Sequence, residues 1–89
     1  MAQLGADVEQ LDGMERDFRT ASSDLSAMIA KLGASVNAAW WQGPDADTFR
    51  GNWEGQFKTQ LNNIATALET TAGDVGRQAQ QQRDASGAG

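Results

Sequence analysis

The dipeptide Gly43-Pro44 separates two long helix-periodic segments, and it governs what this 89-residue chain can become. Pro44 pushes Gly43 out of the helical region and cannot continue a preceding helix, yet its fixed φ suits the first position of a new one. Before the break, Leu4, Leu11, Phe18, Leu25, Leu32 and Ala39 recur every seven residues, with Val8, Met14, Ala21, Met28, Ile29 and Val36 filling in at threes and fours. At 100° per residue these positions span an arc of roughly 160°, wider than the stripe needed to dock on one neighbouring helix. Helix 1 is therefore expected to pack against more than one partner. After the break, Trp53, Phe57, Leu61, Ile64, Leu68, Ala72, Val75 and Ala79 alternate fours and threes within about 100°, the narrower seam of a coiled coil.

These patterns predict an all-α chain, an antiparallel two-helix hairpin with helix 1 over residues 1–42 and helix 2 over 43–79. Each arm would be about 50 Å long at 1.5 Å per residue. Asp45 and Asp47 fall in the first turn of helix 2, where carboxylates favour the positive end of the helix dipole. Leu11, Phe18, Leu25, Met28, Ile29 and Leu32 from the first arm, with Trp53, Phe57, Leu61, Ile64, Leu68 and Val75 from the second, are the expected core of the hairpin and its dimer. Gly13, Gly33, Gly51, Gly55, Gly73 and Gly76 interrupt the helices at a cost of up to about 1 kcal/mol each relative to Ala, so packing has to hold them. A chain this short also buries a small share of its surface, which again favours a partner. Residues 80–89, Gln-rich and then small, have almost no apolar side chains with which to offset ordering entropy and are expected to form a flexible tail.

The chemistry available is limited. With no His and no Cys, the usual nucleophile and base pairings and the usual metal ligands are missing. Asp45 and Asp47 point about 200° apart on a helix and do not converge. Asp7, Glu9, Asp12 and Glu15 form a first-turn and solvated-face set. No catalytic residue, metal site or cofactor is assigned, and the chain is not expected to be an enzyme. A net charge of -5 repels nucleic acid and anionic headgroups. A membrane surface is disfavoured because the polar faces are acidic rather than Lys/Arg-rich. Gly51 and Gly55 match a membrane-dimer spacing, but Arg50, Glu54 and Lys58 surround them, so close approach of a soluble helix is the better account.

Trp40 and Trp41 stand at the break. If helix 1 runs through them, Trp40 extends the apolar stripe, about 40° from its centre, and Trp41 is turned a further 100° out of it. Trp40 is then the packing residue and Trp41 the free one. The residues alone leave open whether this pair caps the end of the hairpin or recognises a partner.

A helix of some 40 residues, then Trp41-Gln42-Gly43, then a second such helix resembles the Trp-X-Gly family, often called WXG-one-hundred or ESAT-like. The likeness extends to Ala39, Phe49, Gly51, Trp53 and the run Leu61-Asn62-Asn63-Ile64-Ala65 with Leu68, and so covers nearly the whole chain. It implies a substrate of a type VII (ESX-like) secretion system, exported without a leader and recognised by the system's ATPase. It further implies an antiparallel four-helix bundle, formed with itself or with a second chain of the family. Many members carry a Tyr-x-x-x-Asp/Glu signal after helix 2. This chain has no Tyr, and its nearest match is Gln80 with Asp84. The resemblance therefore implies a pairing subunit that supplies the Trp-X-Gly turn, with Trp40 and Pro44 closing the end of the bundle, while a partner supplies the C-terminal signal. A membrane-perturbing effector and an intracellular targeting chaperone for a larger toxin are the competing readings.

Overall fold

The computed structural model describes residues 5–87, so Leu4, the first residue of the apolar stripe, lies outside the described residues. Asp7 opens helix α1, Val8–Ala38, with its carboxylate accepting from the Gln10 amide at 3.0 Å. This N-cap satisfies one of the donors that every helix start leaves free. The second arm begins with α2, Pro44–Asn52, with Pro44 at its first position and Asp45 and Asp47 in its first turn. It passes through a π-helical turn, Trp53–Phe57, and continues as α3, Lys58–Gly87. No strand occurs among the described residues.

The two arms lie side by side and antiparallel. Gly33 faces Trp53, Ser22 faces Ala65, Glu15 faces Gly76 and Asp12 faces Arg83, so one arm descends as the other climbs. The result is a rod of 68 × 19 × 19 Å with a radius of gyration of 19.9 Å. A compact globule of this length would have a radius of about 12 Å.

The seam between the arms is made mainly of small residues. Ser22 and Ile29 are buried on α1, and Ala46, Trp53, Ala65, Ala72 and Ala79 on the second arm. Small side chains let the backbones approach, and Ser22 Oγ donates to the Ala65 carbonyl across the seam at 2.8 Å. Buried hydroxyls need such a partner. Further along, the Glu15 side chain lies over Gly76 on the facing arm.

The π-turn has a phase role. Ala46 and Trp53 are seven residues apart, as are Ala65, Ala72 and Ala79, but twelve residues separate Trp53 from Ala65. An unbroken α-helix would set Ala65 about 120° around from Trp53. In the π-turn the Lys58 amide reaches back five residues to the Trp53 carbonyl, and closing a turn with five residues instead of about 3.6 removes most of that angle. Both stretches then face α1.

Two expectations from the sequence, both of helix bounds, are corrected. Helix 1 stops at Ala38 rather than 42, because Ala39 turns to φ −65°, ψ 131° and Trp40 to Gly43 form the connection. Helix 2 does not stop at 79. It runs through Gln80 and Asp84 to Gly87, where the tail was expected to be flexible. Ala79 in the seam and the Arg83–Asp12 ion pair tie this stretch to α1. The expected core also divides: Ile29 and Trp53 are buried, and Leu11, Phe18, Leu25, Leu61, Leu68 and Val75 are half-buried. Met28 and Leu32 on the first arm and Phe57 and Ile64 on the second are exposed, because the seam each arm offers the other is narrower than its apolar arc.

Candidate functional site

Two surfaces stand out, the turn and one long face. At the turn, Gly43 takes φ 122°, a conformation that favours glycine, and its carbonyl accepts from the Asp47 amide at 3.1 Å as α2 begins. Pro44 follows with no amide to satisfy. Trp41, 43% exposed, lies against Phe49 with ring centroids 5.7 Å apart and planes tilted by 48°. That is an ordinary aromatic pairing geometry. Gln42 is exposed.

Trp40 is 88% exposed. The expectation that Trp40 packs on the stripe while Trp41 stands free is thus overturned. It rested on a helix continuing through both residues, and the helix ends at Ala38. In the extended connection the two indoles are set by loop geometry, and Trp41 is the one that finds a neighbour.

Arg50 organises the turn and was missed as a functional residue in the sequence. Its guanidinium donates to the carbonyls of Val36, Ala39 and Trp41 at 3.1, 2.9 and 2.8 Å. The only sequence signal was its place in the second turn of a helix opened by Gly-Pro, within reach of the carbonyls that end α1.

The long face is apolar. On α1, Met14, Met28 and Leu32 lie about 80° to one side of the Ser22–Ile29 line, and Phe57 and Ile64 lie a similar angle from the line of seam alanines. Both arms are right-handed and antiparallel, so offsets of the same sense put the two rows on one face of the hairpin. Exposures of 40 to 55% for these five side chains leave a long apolar strip open. The whole chain exposes 6557 Å², against about 5,000 Å² expected for a compact monomer of its mass.

The opposite face is polar and pairs its own charges. Arg19 bonds Glu15 on its own helix, at 2.9 and 3.1 Å, and Glu69 across the seam. Hydrogen bonding to Glu15, then the nearby carboxylate charges, raise the Arg19 pKa above its usual value. Arg83 pairs with Asp12. Ser26, Asn62 and Thr66 line a shallow polar groove on the turn side of the Arg19–Glu69 pair.

Comparison of the chain with models of known protein families, with curated proteins and with solved structures finds no match.

Gln80 and Asp84, expected from the sequence as the nearest match to a C-terminal signal, are bonded to each other along α3, Gln80 Nε2 to Asp84 Oδ1 at 3.0 Å. They sit at the open end of the rod, remote from Trp41, so one chain does not bring the signal and the turn together. Among the described residues no group of three or more His, Cys, Asp or Glu could hold a metal ion, and no helix is long and apolar enough to cross a membrane.

Proposed function

We propose that this chain is a pairing subunit of a type VII (ESX-like) secretion system. It is exported as a dimer with a second copy or with another Trp-X-Gly chain that carries a C-terminal signal. The observation that carries the reading is the one-sided apolar face, Met14, Met28, Leu32, Phe57 and Ile64, beside a polar face whose charges are already paired. A stable dimer buries about 800 Å² on each partner, and the excess surface of the rod exceeds that. Docking two such faces gives a two-layer four-helix bundle. Antiparallel docking would carry the Gln80–Asp84 end of one chain toward the Trp41 turn of the other. The resemblance of Trp41-Gln42-Gly43 to the Trp-X-Gly motif supports the secretion assignment, and the ATPase of the system is the partner it implies.

Sedimentation of the purified chain, alone and with the product of a neighbouring gene of the same family, tests the pairing. A folded monomer at micromolar concentration in both cases would end it. Secretion of the pair with and without Trp41→Ala, in a host that carries a type VII system, tests recognition. Unchanged export of the variant would remove Trp41 from the site.

The exposed Trp40 at the tip gives specific support to a second reading, a membrane-perturbing effector. Leakage of anionic vesicles at neutral and acidic pH separates the two, and an inert chain at both pH values excludes the second.

A further inference from the structure

The carbonyls that end a helix need donors, commonly supplied by a glycine-based cap or a basic side chain in the last turn. α1 has neither: Ala39 caps it in an extended conformation and its last turn holds no basic residue. Arg50 supplies the donors from the other arm, with Nε on Val36 O at 3.1 Å, Nη2 on Ala39 O at 2.9 Å and Nη1 on Trp41 O at 2.8 Å. Its planar fork therefore spans the last turn of α1 and the connection that follows. Among the described residues no carboxylate pairs with it, so every bond it makes goes to main chain. Phe49, the preceding residue, carries the Trp41 ring. Trp41 is thus held twice from adjacent positions of α2, by its carbonyl and by its indole.

We infer that Arg50 is the positioning residue of the Trp41-Gln42-Gly43 turn, fixing the shape in which an export partner reads Trp41. The inference rests on the proposed recognition of that turn. Arg50 lies at the tip, whereas Ile29, Ala65, Ala72 and Ala79 hold the arms together further along, so turn shape and hairpin stability separate. Charge alone does not meet the requirement. A lysine ammonium is a point donor on a flexible stem, and it cannot span three carbonyls spread from residue 36 to residue 41.

The test uses the full chain with Arg50→Lys, Arg50→Gln and, as a reference, Trp41→Ala. Exchange of the Ala39 and Asp47 amides, which bond the Ser35 and Gly43 carbonyls at the two sides of the turn, should accelerate at least about tenfold in both Arg50 variants, the scale expected from losing charge-assisted bonds. Exchange in residues 22–32 and 65–72 should stay unchanged, as should self-association. Export from a host with a type VII system, with each chain expressed alone and together with the signal-bearing partner, should fall in both Arg50 variants as it does in Trp41→Ala. Unchanged exchange at the turn overturns the inference, and so does restoration of export by Arg50→Lys. If the Arg50 variants are exported normally while Trp41→Ala is not, the turn is read without the clamp and the inference fails alone. Normal export of Trp41→Ala, or no export of the parent chain, removes the recognition reading itself. Should Arg50→Gln unfold the hairpin, Arg50→Lys, which keeps the charge and the stem, carries the decision.

Discussion

The two long faces of the hairpin are built from the same helices and end in opposite states. On the polar face Arg19 reaches Glu69 and Arg83 reaches Asp12, so charges are paired across the seam within one chain. On the apolar face Met14, Met28, Leu32, Phe57 and Ile64 are only partly covered within it and stay 40 to 55% exposed. The seam itself is narrow and mostly alanine, which explains the contrast. Small residues bring the arms close, and the large apolar residues are then displaced to one side instead of being enclosed between them. A hairpin of this kind pairs charges across its polar face and remains incomplete in hydrophobic burial.

The largest test of that contrast is a charge on the apolar face. Ile64→Glu should weaken self-association at least about 100-fold, because a dimer would have to desolvate an unpaired carboxylate. Helicity of the single hairpin should persist, and sedimentation with circular dichroism reads both. Equal association of variant and parent would mean that the partner sits elsewhere. Next in size is the seam. Ile29→Ala should destabilise by about 2 to 5 kcal/mol in thermal or denaturant unfolding. Ala65→Leu should cost about 1 to 3 kcal/mol by forcing the arms apart. A neutral Ala65→Leu would show that the close approach at Ser22 is dispensable. Smaller still, Trp41→Ala should lower stability by about 0.5 to 1.5 kcal/mol through its contact with Phe49, while Trp40→Ala leaves melting unchanged. The smallest effect belongs to the polar face. Breaking the exposed Arg83–Asp12 pair with Asp12→Ala should cost about 0.2 to 1 kcal/mol and vanish in high salt. A larger, salt-resistant loss would make the polar face a structural element equal to the seam.

The hairpin was legible because its signals are local: heptad spacing, Gly43-Pro44, and carboxylates in the first turn of the second arm. The width of the α1 stripe also carried information, since Ile29 is buried while Met28 beside it is exposed. What escaped is long-range. The end of α1 at Ala38 is satisfied by Arg50, from the other arm, and nothing near residue 38 announces it. The roles of Trp40 and Trp41 were misassigned for that reason. The helical tail is not legible locally because residues 80–87 carry almost no large apolar side chains, and the ion pair from Arg83 to Asp12 on the other arm, with Ala79 just before it, does the anchoring. The alanine seam was legible only in part: Ala72 and Ala79 fall in the stripe of the second arm, whereas Ala46 and Ala65 do not, Ala65 standing between the larger Leu61 and Leu68.

The turn of five residues at Trp53–Phe57 makes tolerance to deletion uneven along the second arm. Removing one residue inside it, Gly55 for example, shortens the spacing from Trp53 to Ala65 to eleven, which an ordinary α-helix covers with an angular error of only about 20°. Both alanine and tryptophan contacts with α1 would survive such a loss. The same deletion a few residues later, at Thr66, would swing Ala72 and Ala79 by about 100° and turn them to solvent. The hairpin thus carries a single spare residue at a known address, and a one-codon deletion is absorbed there and disruptive past it.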